Sequence, residues 1–269
     1  MKKIRPLVLL IGFIFPFILW GQGETSNWYF GEEAGLLFNN DGSVTALTDG
    51  RLKTFEGCAA ISNPFGDLLF YTSGIFVYDR NHNIMENDSG LFGDPSSTQS
   101  AIILPKPEDP NIYYIFTVDT SVFDGDPDTG RNYATVDILL NNGNRAVLEK
   151  NVRLLQDCSE KIAAVRKNCF DKSIWVITLA SENGTLPLFD TYHAFEVNTT
   201  GVEVTSIKTT FPDLQIEDPR GALKFTPNGV MMASANMFDG LFLEVHYKLV
   251  VMEKSTVLYP QIIITEPPF

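Results

Sequence analysis

Short runs in which apolar and polar residues alternate, separated by Gly, Asn, Asp and Pro, fill most of this chain. An alternation with a period of two is typical of β-strands that bury one face. Good examples lie at 111–118, 146–155 and 173–178. The stretch 151–167 also has some 3.6-residue spacing, so a helix is the alternative there. The pattern as a whole predicts an all-β protein.

A paired arrangement of these runs recurs along the chain. In each case a strand with small residues leads through a polar or Pro-containing turn into a more aromatic or aliphatic strand, and two further strand-like runs follow the first three pairs, among them 84–86 in the first unit. The pairs begin near Cys58, Ser100, Ile162 and Gly221. A recurrence every ~40 to 60 residues is the scale of one four-stranded sheet per unit.

Small side chains near the start of each unit suit strands that crowd a central channel. They are Ala59, Ala101, Ala163 and Ala222. We therefore predict a β-propeller with YVTN/WD40-like repeats over residues 22–269, with about four to five blades present.

The N-terminus has the pattern of a signal peptide over residues 1–21. A basic stretch with Lys2, Lys3 and Arg5 precedes an almost wholly apolar run at 6–20. Cleavage near Gln22 or Gly23 would export the mature chain, and an uncleaved anchor is the alternative. No later stretch is long and apolar enough to span a bilayer, so we expect no membrane span after cleavage.

Composition and charge exclude several partners. The chain is 44% apolar and 12% aromatic, with 20 Phe and 20 Gly, which favours a globular β-protein over a disordered one. Its 20 Lys and Arg stand against 33 Asp and Glu, a net charge of -13. A surface of that sign repels phosphate backbones, so we expect no binding to nucleic acid or to anionic membranes.

Three cysteines, Cys58, Cys158 and Cys169, occur in a chain that carries an export signal. A local bridge between the last two and three buried thiols are both open. Zinc is poorly supported, because no C-x-x-C pair is present and the three histidines are scattered.

One acidic loop has the spacing of a metal site. Asp124, Asp126 and Asp128 form a D-x-D-x-D run, which directs several oxygens to one centre as Ca²⁺ requires. Asp137 is the nearest candidate for a fourth carboxylate. The alternatives are a weak calcium site and a solvated acidic loop without a cofactor.

No catalytic set can be assigned from the sequence. There is no G-x-S-x-G elbow, and the many acidic residues do not single out a carboxylate pair. The aromatic run at 27–30 fits either a sugar-stacking platform or a buried core.

Several segments resemble the N-terminal propeller region of large cell-surface proteins of the Bacteroidetes. They include Asn27-Trp28-Tyr29-Phe30-Gly31, Thr48-Asp49-Gly50, Leu69-Phe70-Tyr71-Thr72, Arg80-Asn81-His82 and the strand at 111–119. The resemblance runs from residue 27 to about 236. In that group, adhesin-like modules and a C-terminal sorting domain for type IX secretion follow the propeller, of the type B, gliding-motility-associated kind.

The resemblance implies a secreted or cell-surface noncatalytic module for adhesion or macromolecular interaction, with a protein or glycan partner. The alternatives are a propeller hydrolase acting on glycans or peptides and a truncated fragment without independent activity. Similar propellers have about seven blades, so we expect an incomplete ring, with self-association through the apolar residues 241–264. The expected location is extracellular or on the outer cell surface, or periplasmic if a sorting domain is absent.

Overall fold

The computed structural model describes residues 23–88, 90–120, 129–140, 145–167, 170, 172–184, 189–211, 216 and 220–236, together with the backbone of two strands at 250–253 and 259–262. Apart from a 3₁₀ turn at Gly23–Thr25, the regular elements of this part of the chain are β-strands. The predicted all-β class is confirmed. None of the described helical structure is long and apolar enough to cross a membrane.

The strands form small antiparallel sheets in which each strand pairs with the next one along the chain. Sheet 1 contains β1 (Asn27–Phe30), β2 (Ala34–Phe38) and β3 (Val44–Leu47), and sheet 2 contains β4 (Ala59–Ser62), β5 (Leu68–Thr72) and β6 (Val77–Asp79). Sheet 3 contains β7 (Ala101–Lys106), β8 (Asp109–Val118), β9 (Arg131–Asp137) and β10 (Ala146–Leu155). Sheet 4 contains β11 (Ala163–Arg166), β12 (Ile174–Ala180), β13 (Thr191–Val197) and β14 (Ile207–Thr210). Sheet 5 pairs β15 (Leu223–Phe225) with β16 (Met232–Ser234), and β17 (Val250–Glu253) pairs with β18 (Tyr259–Ile262).

The four repeat units predicted from the sequence each begin one of these sheets, within two residues of the predicted start. Sheet 1 is a further unit that the repeat pattern does not reveal. The alternative helix at 151–167 is wrong, because β10 runs to residue 155 and β11 begins at residue 163. The predicted strand at 84–86 is also wrong, since Ile84 and Glu86 form isolated bridges to Tyr78 and Ala146 instead.

Each pair of consecutive sheets encloses an apolar core of its own. Tyr29 and Tyr71 meet between sheets 1 and 2, and Phe70 and Ile115 between sheets 2 and 3. Equivalent clusters lie between sheets 3 and 4 and between sheets 4 and 5. Burying one large apolar side chain is worth about 1.5–3 kcal/mol. The sheets are therefore held face to face in the order in which they occur in the chain.

The strands that open the sheets lie near one another. β4 contacts both β1 and β7, and β15 contacts β11. Sheet 1 has one covered face and one open face, since Asn27 and Tyr29 are buried whereas Trp28 and Phe30 are 51% and 37% exposed. The alternation follows from the period of two in a β-strand.

Candidate functional site

The opening strands of sheets 1 to 5 line one central cavity of about 1260 Å³. Side chains from β1, β4, β7, β11 and β15 all face it. Three of the four small residues singled out in the sequence, Ala59, Ala101 and Ala163, are among the lining residues, and Ala222 is not. Small side chains leave open space where five strands approach one another. We call this volume the central cavity.

A belt of polar contacts joins the starts of these strands. The backbone N–H and the hydroxyl of Thr98 donate to Glu160 Oε2 at 2.8 and 2.7 Å. The side-chain oxygen of Gln99 accepts from the backbone N–H groups of Ile162 at 3.3 Å and Leu223 at 2.7 Å. One side chain just before β7 thus reaches the beginnings of both β11 and β15. The starts of β7, β11 and β15 therefore converge at one end of the central cavity.

Aromatic side chains of sheet 1 form one wall of the cavity. Trp28, Phe30 and Leu36 line it, and the ring of Trp28 lies 5.0 Å from that of Phe38. Half-exposed aromatic groups beside polar ones are typical of surfaces that bind a partner. Within segment 27–30, Asn27 and Tyr29 are buried as the core interpretation predicts, whereas Trp28 and Phe30 are exposed on the cavity side, where sugar stacking stays a prediction.

A hydrogen-bonded cluster lies between sheets 1 and 2, and we call its members Tyr29, Asp49, Tyr71 and His82 the Tyr29 cluster. The hydroxyl of Tyr29 donates to Asp49 Oδ1 at 3.1 Å, and Asp49 Oδ2 lies 3.3 Å from His82 Nε2. His82 Nδ1 lies 3.0 Å from the hydroxyl of Tyr71, which also accepts the backbone N–H of Arg51 at 3.1 Å. The rings of Tyr29 and Tyr71 stack at 4.5 Å.

Local sequence explains how these side chains are presented. Asp79 Oδ1 accepts the backbone N–H groups of Asn81 and Asn83 at 2.7 and 2.9 Å, which closes the turn after β6. His82 completes that turn with a φ of 63°, a conformation in the left-handed region. Gly50 makes room for the ring of Tyr29, because a Cβ there would lie 2.8 Å from a ring carbon.

The electrostatics of the Tyr29 cluster favour a structural role, in which the cluster joins sheet 1 to sheet 2. Burial raises the pKa of Tyr29 well above its usual range, and the negative charge of Asp49 raises it further. Burial likewise raises the pKa of Tyr71, whose side chain is fully covered. An acid, an imidazole and a hydroxyl in series have the connectivity of a catalytic relay. In this cluster the hydroxyl at the end of the series is that of Tyr71. It is neutral, and because Tyr71 is fully buried a substrate atom cannot contact it.

Sequence reasoning placed His82 among isolated histidines and did not find this cluster. No local spacing in the sequence marks the four members of the cluster as neighbours, because they lie in four separate segments. The structure brings those members together across two sheets.

The predicted calcium ligands Asp124, Asp126 and Asp128 lie outside the described residues, so that site stays a prediction. At the base of the loop, Asp119 Oδ2 accepts the backbone N–H and the hydroxyl of Thr129 at 2.6 and 2.8 Å. Asp137 is at the opposite end of β9 from this loop, about 20 Å from Arg131 at the usual strand rise. Among the described residues, no three His, Cys, Asp or Glu side chains are grouped as metal ligands would be.

Two of the three cysteines lie in the described part of the chain, and both are free thiols. Cys58 is half-buried, whereas Cys158 is buried. Burial raises the pKa of Cys158 to about 12, so its thiol stays protonated at neutral pH. Cys169 lies outside the described residues.

No protein-family model, curated protein or solved structure matches this chain. Its function must therefore be inferred from the central cavity, the Tyr29 cluster and the charges around them.

Proposed function

We propose that this chain is a secreted, noncatalytic β-propeller module of a bacterial cell surface, which binds a glycan chain or a peptide segment in the central cavity. The observation that carries the proposal is that the opening strands of five sheets line one cavity in which Trp28 and Phe30 are exposed. The signal-peptide pattern at residues 1–21 supports export.

Three features support a radial arrangement of blades. Each sheet is an antiparallel run of consecutive strands, each consecutive pair has its own core, and the opening strands surround a common space. These are the features by which blades of a propeller pack around a channel. In a closed ring, a further sheet would face the open side of sheet 1.

The size and lining of the central cavity support a chain-like ligand. Sites for small molecules usually enclose about 300–1,000 Å³, and this cavity is larger, at about 1260 Å³. Its lining combines the aromatic wall of sheet 1 with Glu56, Arg166 and Lys224. Such a mixture offers stacking surfaces for rings and charged groups for polar substituents.

Tryptophan fluorescence tests the proposal, since Trp28 and Trp175 are the tryptophans of the chain after residue 21. The chain from residue 22 should be titrated with a panel of surface glycans and peptides, and a ligand in the cavity should change the emission of Trp28. Binding by the matched variants Trp28→Ala and Phe170→Ala is measured by calorimetric titration, because Trp28→Ala removes the fluorescent reporter. Phe170 is 96% exposed and does not line the cavity.

We expect Trp28→Ala to abolish binding and Phe170→Ala to leave it unchanged. Equal binding by both variants would place the ligand elsewhere and overturn the proposal. Products of the bound ligand should be measured in the same samples, because turnover would favour the hydrolase alternative.

A further inference from the structure

A second cavity, of about 530 Å³, lies beside sheet 2 and apart from the central cavity. Its lining includes Arg51, Lys53, Phe76, Tyr78, His82 and Asn83. We call it the Arg51 pocket. Its size is within the range of pockets that hold small ligands.

The charge of the Arg51 pocket is opposite to that of the protein. The chain has a net charge of -13, yet two cations and no carboxylate occur among the side chains that line this pocket. Lys53 Nζ lies 3.9 Å from a Glu33 oxygen, with both side chains largely exposed. In the described part of the chain, no carboxylate oxygen lies within ion-pair distance of the Arg51 guanidinium. That guanidinium is therefore available to an anionic group from outside.

The Tyr29 cluster holds two walls of this pocket in place. The backbone N–H of Arg51 donates to the buried hydroxyl of Tyr71, and the imidazole of His82 is fixed between Tyr71 and Asp49. A site whose walls are already ordered loses less entropy on binding. The walls of the Arg51 pocket are therefore already ordered in the absence of a ligand.

An apolar surface lies next to the cations. Phe76 is 38% exposed, with its ring 6.5 Å from that of Tyr78, and Ile84 is 55% exposed. A simple inorganic anion makes no apolar contact with these side chains. A sugar ring does make such a contact, because its C–H face can pack on an aromatic ring. Asn83 is exposed and lines the same space, and its amide can bind sugar hydroxyls.

We infer that the Arg51 pocket binds an acidic sugar, a hexuronate residue of a glycan. The carboxylate pairs with Arg51, whose planar guanidinium can donate two parallel hydrogen bonds, while Lys53 adds a second positive charge. The pyranose ring packs on Phe76. This site is separate from the central cavity, so the inference does not rest on the function proposed above.

Calorimetric titration of the chain from residue 22 tests the inference with three probes: trigalacturonate, its fully methyl-esterified form and inorganic sulfate. We expect saturable binding of trigalacturonate and none of the other two. Arg51→Ala and Phe76→Ala should each weaken binding by about tenfold or more, since a charge-assisted pair and an aromatic contact are of that order. Arg153→Ala removes an exposed arginine of sheet 3 and should have no effect.

Each other outcome overturns the inference. Equal binding of the methyl ester would show that the carboxylate is not recognised, and equal binding of sulfate would show that the pocket selects charge alone. No binding of trigalacturonate, or unchanged binding by Arg51→Ala, would remove the site. Unfolding curves of both variants should match the parent chain, because the Arg51 and Phe76 side chains are not in the core. Trp28→Ala should bind trigalacturonate normally, so this site and the central cavity are tested independently.

Discussion

Replacing Asp88 with asparagine should prevent a large part of the loss of stability that the protein undergoes as the pH rises from 5.5 to 8.5. Asp88 is 1% exposed and follows β6. One carboxylate oxygen accepts the backbone N–H of Val77, and the other has no hydrogen-bond partner among the described residues. Burial raises the pKa of Asp88 from 3.8 to about 8, although that N–H and the charge of Lys150 act in the opposite direction.

The sign of the effect follows from proton linkage. The unfolded chain loses the proton of Asp88 near pH 3.8, whereas the folded chain keeps it to about pH 8. Between those values the folded state binds more protons, so the free energy of unfolding falls as the pH rises. From pH 5.5 to pH 8.5 the loss from this group is about 3 kcal/mol, with a steepest slope of about 1.4 kcal/mol per pH unit. That is a large part of the usual 5–15 kcal/mol.

Urea unfolding followed by tryptophan fluorescence measures this pH dependence of the unfolding free energy directly. The parent chain and Asp88→Asn should be compared at pH 5.5, 7 and 8.5. Asparagine keeps the acceptor for the Val77 N–H and cannot ionise, so the difference in unfolding free energy between the two proteins should grow with pH in favour of the variant. Any fixed cost of the new buried amide shifts all three differences equally. A difference that stays constant across the three pH values would refute the reasoning.

Three substitutions test the contacts between sheets, each read as a change in unfolding free energy. Gln99→Ala leaves two N–H groups of sheets 4 and 5 without their acceptor and should cost about 2 kcal/mol, and a parent-like midpoint would contradict the convergence of those sheets. Gly57→Ala should cost about 3 kcal/mol or more, because its Cβ would overlap the backbone nitrogen of Ser100; an unchanged unfolding free energy for this variant would mean that sheets 2 and 3 are farther apart. Tyr71→Phe keeps the ring stacking but removes the partner of His82, and should lower the unfolding free energy by about 1 kcal/mol. An unchanged unfolding free energy would argue that the Tyr29 cluster does not hold sheets 1 and 2 together.

Most strands could be predicted because one face of each is buried against a neighbouring sheet. β10 has the predicted bounds, and β8 extends the predicted run at 111–118 by two residues. Sheet 1 was missed as a unit because two of its three strands lack that contrast: β3 is largely exposed, and β2 is apolar almost throughout. A strand without alternating burial leaves little periodic signal.

Buried charges could not be predicted from the sequence. Arg131 and Lys161 are fully buried, and Arg131 Nε and Nη2 have no hydrogen-bond partner among the described residues. In a sequence, a charged residue marks an exposed position, because burying an unpaired charge is costly. Burial lowers the pKa of Arg131 to about 10 as a result. Only the packing of sheet 3 on sheet 4 reveals that such a residue is inside.

The register of β1 explains why the candidate site could be found only in part. Asn27 and Tyr29 face sheet 2, where Asn27 donates to Ser62 Oγ at 3.0 Å, whereas Trp28 and Phe30 face the central cavity. A shift of one residue would exchange the two faces, and the sequence alone gives no preference between them because all four side chains can be buried. Once Tyr29 is fixed by Asp49, Trp28 must face the cavity. The same strand therefore joins sheet 1 to sheet 2 and exposes Trp28 and Phe30 to the cavity in which we propose that a ligand binds, so substitutions at these two residues should change binding without destabilising the fold.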